Sequence, residues 1–421
     1  MKFLIKGGKK LHGEIEVKGA KNSVLKAMAS SLLFDGPINL KNIPLIEDVF
    51  RMTELLEDLG VSVETIGERG LRLDASKVKK DILKKDIAER LRTSIVAVGP
   101  LLARRKRALF PHPGGCVIGK RPIDIFLDGW KSFGAKIHEH SNGYYEVKAQ
   151  ALLGAGITFR VVSVTATEAL MMTAVLAKGK TVLRNAACEP EIPSLAEFLN
   201  KSGAKITGAG TPTIEIVGTG GKLLHAKQAF QVIPDRIETG SFLVLGAALG
   251  HNVKIKRCNP EHLSAVIETL REAGVKIRTG SNWISISRPK ALLSVDMKTK
   301  EYPGFATDLQ APFAVLMTQA RGQSMIFETI FEGRLNYIED LNRMGANIVP
   351  CDPHRILVHG PTLLRGRTIE SPDLRAGLAF IIAALIAKGK SEISNIYQID
   401  RGYEKIDERL RKLGAEITRC D

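Results

Sequence analysis

Cysteines and aromatic residues are scarce in this sequence. Its five cysteines are an odd number and form no CxxC pair, which argues against a disulfide framework and against a zinc site. A reducing compartment, the cytoplasm, is therefore expected. Aromatic residues make up only 5% of the chain, so a hydrophobic core has to be built mainly from alanine, valine, isoleucine and leucine.

Long apolar runs are also missing. The longest, residues 376–387, is well short of the ~20 residues that a membrane-spanning helix needs. The opening MKFLIKGGKK has only three consecutive apolar residues after its first lysine, too few for a signal-peptide core. We expect a soluble protein, and a length of 421 residues favours two domains.

Basic residues outnumber acidic ones, 61 to 45, which gives a net charge of +16. Such an excess attracts polyanions, so a nucleic-acid-binding protein is one interpretation. An enzyme that handles small phosphorylated substrates is the other. Apart from ARRKR at residues 103–107, the basic residues are scattered and have no aromatic stacking platforms beside them, which favours the enzyme.

The sequence does contain an internal repeat. A glycine followed by Ala or Val, any residue, and Val or Ile recurs at Gly60, Gly134, Gly203, Gly274, Gly345 and Gly414. A period of about 70 residues marks a repeated structural unit. An amphipathic segment precedes each glycine and β-branched residues follow it, which predicts a helix, a glycine C-cap and a strand.

Each repeat also has an earlier and more apolar helix, followed by a short strand. Examples of this helix are residues 24–33, 167–176, 241–249 and 374–387. A helix that is apolar on almost all sides belongs inside the core. We therefore predict an α/β protein of six helix–strand–helix–strand repeats, three in each domain.

The second domain is predicted to combine the beginning of the chain with its C-terminal half. One domain is residues 21–228, and the other is residues 1–20 together with 229–421, with crossovers near residues 18–20 and 228–232. The N-terminal strand, within residues 6–17, precedes the first repeat and could complete a sheet of the second domain.

Polar or charged residues stand where each apolar helix is predicted to begin. In chain order these are Lys21 and Asn22, Arg92 and Thr93, Ser163 to Thr167, Asp235 to Glu238, Asp308, and Asp373 to Arg375. Helix N-termini attract anions through unpaired N–H groups, so these ends predict phosphate binding. Capping is the alternative, and it accounts for Ser163, Asp308 and Asp373. It does not account for the cations, which oppose the helix dipole.

A cysteine lies in the glycine-rich stretch PGGCVIGKRP, residues 113–122. Lys120 and Arg121 follow Cys116 closely, and nearby cations favour the reactive thiolate. Glycines let the backbone approach a ligand closely. The stretch indicates a reactive thiol, with a buried structural cysteine as the alternative.

Nine segments carry a resemblance to a known family. They are KGAKNSVLKAMASSLL, LRTSIVAVGPLLAR, PGGCVIGKRPID, ACEPEI, PDRIETGSFL, FATDLQAPF, FEGRLNYIEDLNRMGA, SPDLRAG and IDRGYEKIDERLRKLGA. In order, and over essentially the whole chain, the sequence resembles the UDP-N-acetylglucosamine 1-carboxyvinyltransferases of the enolpyruvyl transferase family. The related enolpyruvylshikimate-phosphate synthases are the alternative within the family, but they have no cysteine loop of this kind.

The resemblance implies a fold and a reaction. The fold is a two-domain inside-out α/β barrel. The reaction transfers the enolpyruvyl group of phosphoenolpyruvate to the 3′-hydroxyl of UDP-N-acetylglucosamine by addition and elimination, and releases phosphate without a metal or a redox cofactor. The resemblance implies a role in peptidoglycan precursor synthesis in the cytoplasm, and therefore in cell wall biogenesis, cell shape and cell division. It also implies that fosfomycin alkylates the cysteine.

The resemblance also implies roles for individual residues. Cys116 is the proton donor or a nucleophile, Asp308 is the base for the 3′-hydroxyl, and Lys21 and Arg401 are also catalytic. The residues implied to hold phosphoenolpyruvate are Lys21, Asn22, Arg92, Arg121, Asp373, Arg375 and Arg401. Those implied to contact UDP-N-acetylglucosamine are Asn22, Arg92, Arg121, Pro122, Ile123, Asp124, Ser163, Val164, Glu189, Asp308 and Ile330.

Three positions depart from the family pattern. Glu47 stands where a lysine is often found, Phe126 where a histidine is common, and Val161 where a lysine can reach the nucleotide. The lost cations are expected to affect substrate affinity, whereas none of the three positions is required for the chemistry.

Overall fold

The structure, a computed structural model, describes residues 1–114 and 122–421. These residues form two compact units. The N-terminal unit contains residues 19–114 and 122–233, and the C-terminal unit contains residues 1–18 and 234–421. Each unit has its own hydrophobic core.

Three repeats make up the N-terminal unit. Two strands precede them along the chain, β1 (Lys2–Lys6) and β2 (Leu11–Glu16). The first repeat has α1 (Lys21–Ser30), β3 (Ile38–Lys41), α2 (Glu47–Leu59), β4 (Ser62–Ile66) and β5 (Gly70–Asp74). After a short α3 (Lys85–Ala88), the second has α4 (Ile95–Arg105), β6 (Arg107–Pro111), α5 (Asp124–Ser132), β7 (Lys136–Glu139) and β8 (Tyr144–Lys148). The third has β9 (Gly156–Thr158), α6 (Val164–Val175), β10 (Lys178–Arg184), α7 (Glu191–Lys201), β11 (Lys205–Thr207) and β12 (Thr213–Thr219).

The C-terminal unit follows the same order. Strand β13 (Phe230–Gln231) still belongs to the N-terminal unit, and the fourth repeat then has α8 (Arg236–Leu249), β14 (Gly250–Lys256), α9 (Ser264–Glu272), β15 (Lys276–Thr279) and β16 (Trp283–Ser287). The fifth has β17 (Met297–Lys298), α10 (Gln310–Met317), β18 (Gly322–Phe327), α11 (Ile338–Arg343), β19 (Asn347–Pro350) and β20 (Arg355–Gly360). The sixth has β21 (Thr368–Glu370), α12 (Leu374–Ile386), β22 (Lys390–Ser394), α13 (Tyr397–Asp400), α14 (Ile406–Lys412) and β23 (Glu416–Cys420). Single 3₁₀ turns occur at Ser31–Leu33, Arg92–Ser94, Pro260–Leu263 and Thr307–Leu309.

The apolar helices lie inside the two cores, as predicted. In the N-terminal unit α4 packs against α1 and α6, and in the C-terminal unit α8, α10 and α12 pack against one another. Small residues permit this approach: a Cβ at Gly99 of α4 would lie 2.5 Å from the Ala169 carbonyl oxygen of α6, much closer than atoms can pack. No helix in residues 1–114 or 122–421 combines the length and the hydropathy of a membrane span.

In the part of the chain that the structure describes, five of the six sheets contain two strands beyond the predicted pair, and the sheet of the second repeat contains one. The strand after the core helix pairs antiparallel with the second strand of a hairpin, as β3 does with β5 and β18 with β20. On its other side, except in the second repeat, it pairs parallel with a strand from outside that hairpin, as β10 does with β9. The predicted helix–strand–helix–strand order is confirmed, and it is the core of a larger repeat.

Strands from distant parts of the chain complete several sheets. Strand β2 pairs parallel with β14, which places Ile15 opposite Ile255. Strand β13 pairs parallel with β3, which places Phe230 opposite Leu40. Strand β1 lies between β22 and β23, so the first strand of the chain completes the sheet of the last repeat. Among the described residues, the chain passes from one unit to the other near residues 18–19 and 233–234.

The repeated glycines end the amphipathic helices, as predicted. Gly60 has φ +98° and is the C-cap of α2, and the glycines at the other five repeat positions also have positive φ. A side chain at such a position would strain the backbone, so the repeat keeps glycine there.

Candidate active site

Helices begin at all six of the predicted positions. Lys21 is the first residue of α1, and Arg92 opens the 3₁₀ turn that leads into α4. Ser163, Asp235 and Asp373 are the N-caps of α6, α8 and α12. Asp308 lies within the 3₁₀ turn that precedes α10.

Capping is confirmed for two of the three residues to which it was assigned. The Ser163 hydroxyl accepts a hydrogen bond from the Ala166 N–H at 3.3 Å, and the Asp373 carboxylate accepts the N–H of Arg375 at 2.8 Å. For Asp308 the capping assignment is wrong, because the N-cap of its turn is Ala306. Its side chain is occupied elsewhere.

The Asp308 carboxylate contacts two arginines, one on each oxygen. Oδ1 accepts a hydrogen bond from Arg334 Nη2 and Oδ2 one from Arg375 Nη2, each at 3.0 Å. Burial alone would raise the pKa of Asp308, but Arg375, Arg334 and Arg236 together lower this pKa well below its usual value. Asp308 is therefore an ionised acceptor whose orientation is held by both oxygens.

Arg375 is itself buried and held from two sides. Besides Asp308, its guanidinium donates a hydrogen bond to the Tyr403 hydroxyl at 3.0 Å and lies over the Tyr403 ring. The Tyr403 hydroxyl is also 2.9 Å from the Ser241 hydroxyl on α8. Burial lowers the pKa of Arg375, but Asp308 and Tyr403 raise it above the usual arginine value, so this cation stays charged.

The other predicted residues of the C-terminal unit lie on three different elements. Arg401, directly after α13, is mostly buried and donates a hydrogen bond to Gln398 Oε1 at 3.1 Å. Ile330 is half-buried, and its N–H donates to the Glu328 carboxylate at 2.8 Å. Asp373 is nearly buried at the start of α12.

In the N-terminal unit, a carboxylate faces the first predicted cation. Lys21 Nζ lies 2.6 Å from Asp48 Oδ2 of α2, and these side chains are 11% and 3% exposed. Asn22 follows on the same helix and is half-buried. The charge of Lys21 is thereby anchored at the start of α1, where the helix dipole alone would disfavour it.

Arg92 contacts the segment that leads to the predicted cysteine loop. Its Nη1 donates a hydrogen bond to the Pro113 carbonyl oxygen at 3.0 Å. Cys116, Lys120 and Arg121 lie outside the described residues, so their predicted roles stay predictions.

The predicted nucleotide-sugar contacts of this unit lie at two helix starts. Pro122 is exposed, Ile123 is buried, and Asp124 begins α5. The Asp124 carboxylate forms an ion pair with Arg160, and both side chains are at least half exposed. Val164, half-buried, follows the Ser163 cap of α6.

A buried charge cluster beside Glu189 was not predicted from the sequence. Lys26 Nζ of α1 lies 3.2 Å from Glu168 Oε2 of α6, and both side chains are almost completely buried. The pKa of Glu168 is raised to about 8, mainly by burial and also by Glu191 and Glu189, whereas Lys26 lowers it. Lys26 lies in α1 and Glu168 in α6, and the local sequence of neither helix identifies the partner in the other.

The three departures from the family pattern have different environments. Glu47 begins α2 and pairs with Arg51 on the same helix. Phe126 is buried and packs on Trp130, so it belongs to the core. Val161 is 66% exposed, and its apolar side chain offers no charge to a ligand.

Two residues next to the predicted site were missed in the sequence. Arg334 and Glu328 lie within and just before FEGRLNY, a segment that was noted for its resemblance only. Both side chains are buried. The signal was a basic and an acidic residue flanking Ile330 in a mostly apolar segment, but their partners are distant in sequence.

Comparison with known proteins gives full-length matches. The family model described as EPSP synthase (3-phosphoshikimate 1-carboxyvinyltransferase) matches residues 5–410. The chain is 44% identical over 418 residues to the UDP-N-acetylglucosamine 1-carboxyvinyltransferase of Desulforapulum autotrophicum, with 99% of each chain covered. It is 45% identical over 424 residues to the protein of the same name from Solibacter usitatus, with 100% of each covered.

Solved structures share the fold. The enolpyruvyl transferase NikO from Streptomyces tendae superposes with a TM-score of 0.90 at 24% identity, covering 99% of this chain and 98% of that one. EPSP synthase from Acinetobacter baumannii gives a TM-score of 0.75 at 20% identity, with 100% of each chain covered. At these identities the likeness concerns the fold, the two-domain inside-out α/β barrel.

Proposed function

Since the chain belongs to the enolpyruvyl transferase family, we propose that it transfers the enolpyruvyl group of phosphoenolpyruvate to the 3′-hydroxyl of UDP-N-acetylglucosamine. Phosphate is the second product. The observation that carries this proposal is identity of 44% and 45% over essentially the whole chain to proteins named for that reaction. The product serves peptidoglycan precursor synthesis, and the reaction takes place in the cytoplasm.

The first half of the reaction is an addition. The 3′-oxygen bonds to C2 of phosphoenolpyruvate, the hydroxyl proton leaves, and a proton is added to the C3 methylene carbon. Asp308 is the proposed base, supported by its ionised carboxylate between two arginines. Cys116 is the proposed acid, or a nucleophile that carries the enolpyruvyl group, supported by the cations that follow it in sequence.

The second half is an elimination. The bond between C2 and the phosphate oxygen breaks, phosphate leaves with the electron pair, and a proton is lost from C3. Negative charge on the leaving phosphate has to be stabilised, which is the task of arginines and lysines placed before the reaction occurs. Lys21, Arg92, Arg121, Arg375 and Arg401 are the proposed cations.

Three of the proposed cations already have partners that hold them in place. Lys21 is fixed by Asp48, Arg375 by Asp308 and Tyr403, and Arg92 by a carbonyl oxygen. A positioned cation loses little conformational freedom when an anion binds. Asn22 is proposed to hydrogen-bond the intermediate, and Asp373 to orient the helix start that carries Arg375.

The remaining proposed contacts bind the nucleotide sugar. Pro122, Ile123 and Asp124 lie at the start of α5, and Ser163 and Val164 at the start of α6, where free N–H groups can meet a diphosphate. Glu189 supports this site, and Ile330 offers an apolar surface to the sugar.

Phosphate release from phosphoenolpyruvate tests the proposal. The assay compares UDP-N-acetylglucosamine with shikimate 3-phosphate as the acceptor, each at the same concentration. We expect release with the nucleotide sugar alone. Release with the shikimate ester alone would assign the chain to the other branch of the family, and steeply salt-dependent binding of nucleic acid without any turnover would favour a non-enzyme.

A further inference from the structure

We propose that the buried pair of Lys26 and Glu168 is a positioning pair, which holds the starts of α1 and α6 at a fixed separation so that the two substrates meet in reactive alignment. The inference rests on the proposed function, in which the start of α1 binds phosphoenolpyruvate and the start of α6 binds the nucleotide sugar. Neither Lys26 nor Glu168 is among the residues implied to contact a substrate.

The pair links two helices of the N-terminal core directly. Lys26 Nζ of α1 lies 3.2 Å from Glu168 Oε2 of α6, and these side chains are 5% and 0% exposed. Both helices also pack against α4 and α7. Apolar packing tolerates small shifts of one helix along another, whereas a polar contact is favourable only over a narrow range of distances. The pair therefore fixes how α1 and α6 are placed relative to each other.

Each member of the pair lies one helical turn behind a predicted substrate contact. Lys26 follows Asn22 by four residues in α1, and Glu168 follows Val164 by four residues in α6. Positions four residues apart share one face of a helix. Asn22 and Val164 are only half-buried. A displacement of either helix at the pair is thus passed on to the residue that is predicted to contact substrate.

The segment that leads into α7 is tied to the same place. Thr167, next to Glu168, accepts the Ala187 N–H on its hydroxyl at 3.1 Å. Glu189 and Glu191 are close enough to Glu168 to raise its pKa. The pair therefore lies where α1, α6 and the start of α7 meet, and Glu189 was itself predicted to support the nucleotide-sugar site.

Stability alone does not account for two charged groups in this core. Taking them out of water costs about as much free energy as their attraction returns, so apolar residues of similar volume would stabilise the core at least as well. What a buried polar pair adds is one defined arrangement, as when a buried polar residue fixes the register of a coiled coil. The Lys26 ammonium can donate to the Glu168 carboxyl whether that group is ionised or protonated, so the link does not depend on pH.

The kinetic test measures phosphate release by the double variant Lys26→Met/Glu168→Leu. This variant keeps an apolar core of similar volume and is expected to fold. We expect kcat to fall about 10-fold, because imperfectly aligned substrates react more slowly. The KM values for both substrates should change little, because each helix start keeps its own first-turn residues.

Two further variants separate positioning from stability. Glu168→Gln keeps the carbonyl oxygen that accepts from Lys26 and, below the Glu168 pKa of about 8, the charge of the native group as well, so it should retain most of kcat. Thr173→Val is the matched control on α6. The buried Thr173 hydroxyl accepts from Trp130 Nε1 at 3.2 Å and donates to the Ala169 carbonyl oxygen at 2.8 Å. Its loss costs stability without untying α6 from α1, so kcat should equal that of the wild type.

Amide hydrogen exchange separates this inference from the proposed function, because it needs no substrate. The Val24 N–H donates to the Ala20 carbonyl oxygen at 3.0 Å, and the Thr167 N–H donates to the Ser163 carbonyl oxygen at 2.9 Å. In the double variant we expect both amides to exchange about 10-fold faster, because the helix starts open at a lower cost in free energy. The hairpin of β4 and β5 serves as the internal reference, and Thr173→Val should leave both exchange rates unchanged.

Each result decides one question. A folded double variant with normal kcat, or with unchanged exchange at both helix starts, would overturn the inference even if the wild type turns over the nucleotide sugar. An equal loss of kcat in Thr173→Val would also overturn it, because the loss would then follow stability. If the double variant does not fold, Glu168→Asp replaces it with the same expectations, since its side chain is one methylene shorter. If the wild type turns over neither acceptor, the proposed function fails, and the exchange rates alone decide whether the pair holds the two helix starts.

Discussion

The two units share one repeat but differ at the starts of their core helices, because those of the C-terminal unit each have an aspartate, followed by Arg236 in α8 and by Arg375 in α12. In the N-terminal unit the first two helices open with Lys21 and Arg92. In the C-terminal unit each helix start has an aspartate, Asp235, Asp308 or Asp373. Cations oppose the helix dipole and aspartates favour it, so the N-terminal pattern costs stability and the C-terminal pattern contributes to it.

The three aspartates of the C-terminal unit differ in what their carboxylates contact. Asp235 and Asp373 cap their helices through backbone N–H groups, whereas Asp308 turns its carboxylate away from the backbone and towards Arg334 and Arg375. Asp308 is the second residue of its turn, behind the N-cap Ala306, and both of its carboxylate oxygens contact arginines. Among the three aspartates, Asp308 is therefore the one whose removal should affect the reaction most.

Asp308→Ala should have the largest effect. We expect turnover to fall towards the upper end of the about 10²–10⁴-fold range for a lost base, with UDP-N-acetylglucosamine binding retained. Asp235→Ala is the comparator, expected to cost about 0.5–2 kcal/mol of stability as a lost cap. Turnover, affinity and melting temperature are measured on both. An Asp308→Ala protein that melts early but turns over normally would show that Asp308, like Asp235 and Asp373, contributes only to stability.

Cys116→Ser should have a somewhat smaller effect on rate. A hydroxyl can still donate a proton but is a much weaker acid than a thiol, so we expect a loss towards the lower end of about 10²–10⁴-fold. The variant should also be insensitive to fosfomycin, which mass spectrometry can check as the absence of an adduct. Cys188→Ser is the control. Near-normal turnover of Cys116→Ser would show that Cys116 is not the acid.

The N-terminal core contains the buried pair of Lys26 and Glu168, and the C-terminal unit contains a buried pair of its own, between Glu238 and Arg409. Above about pH 8, where Glu168 is ionised, Glu168→Leu leaves Lys26 buried without its carboxylate and should cost about 3–5 kcal/mol, whereas Lys26→Met combined with Glu168→Leu should be close to neutral. Urea unfolding of both variants measures this. Equal losses of unfolding free energy in the single and double variants would show that the unpaired charge of Lys26 is not the cause of the destabilisation.

The same pair predicts a pH dependence of stability. The pKa of Glu168 is raised from 4.5 to about 8 in the folded protein, so the folded state binds its proton more tightly than the unfolded state does. The stability this contributes is complete below about pH 4.5 and is lost as the pH rises towards 8. Urea unfolding of the wild type and of the double variant across this pH range measures the contribution of Glu168. Identical pH dependence in the two proteins would contradict the assignment.

Arg160→Ala should have the smallest effect. The ion pair of Arg160 with Asp124 is exposed, and such pairs contribute about 0–1 kcal/mol, so the melting temperature should barely change. If Asp124 contacts the nucleotide sugar, the change should appear in the KM for UDP-N-acetylglucosamine and not in kcat. A loss of kcat would show that Asp124 has a role in the reaction itself.

Much of the fold was predictable because it depends on local pattern. The glycine period located the helix ends, and the apolar helices identified the core, since periodicity and helix caps act over a few residues. The second strand of each hairpin was missed, although segments such as WISIS of β16 alternate apolar and polar residues. Short strands carry little signal, and their pairing depends on neighbours that the local sequence does not identify.

The residues at the helix starts could be identified from the sequence, but the residues they contact could not. A charge at the first turn is visible in the sequence, so Lys21, Asp308 and Arg375 could be selected. That Asp308 contacts Arg334 and Arg375, or that Lys26 of α1 meets Glu168 of α6, depends on pairs separated by 26, 67 or more residues. Only the packing of the core helices brings such pairs together. The sequence by itself determined which residues can carry charge and where helices begin, because these follow from local chemistry. The tertiary structure decided which charges meet, because burial and distance, which set the strength and the pKa of each pair, exist only once the chain has folded.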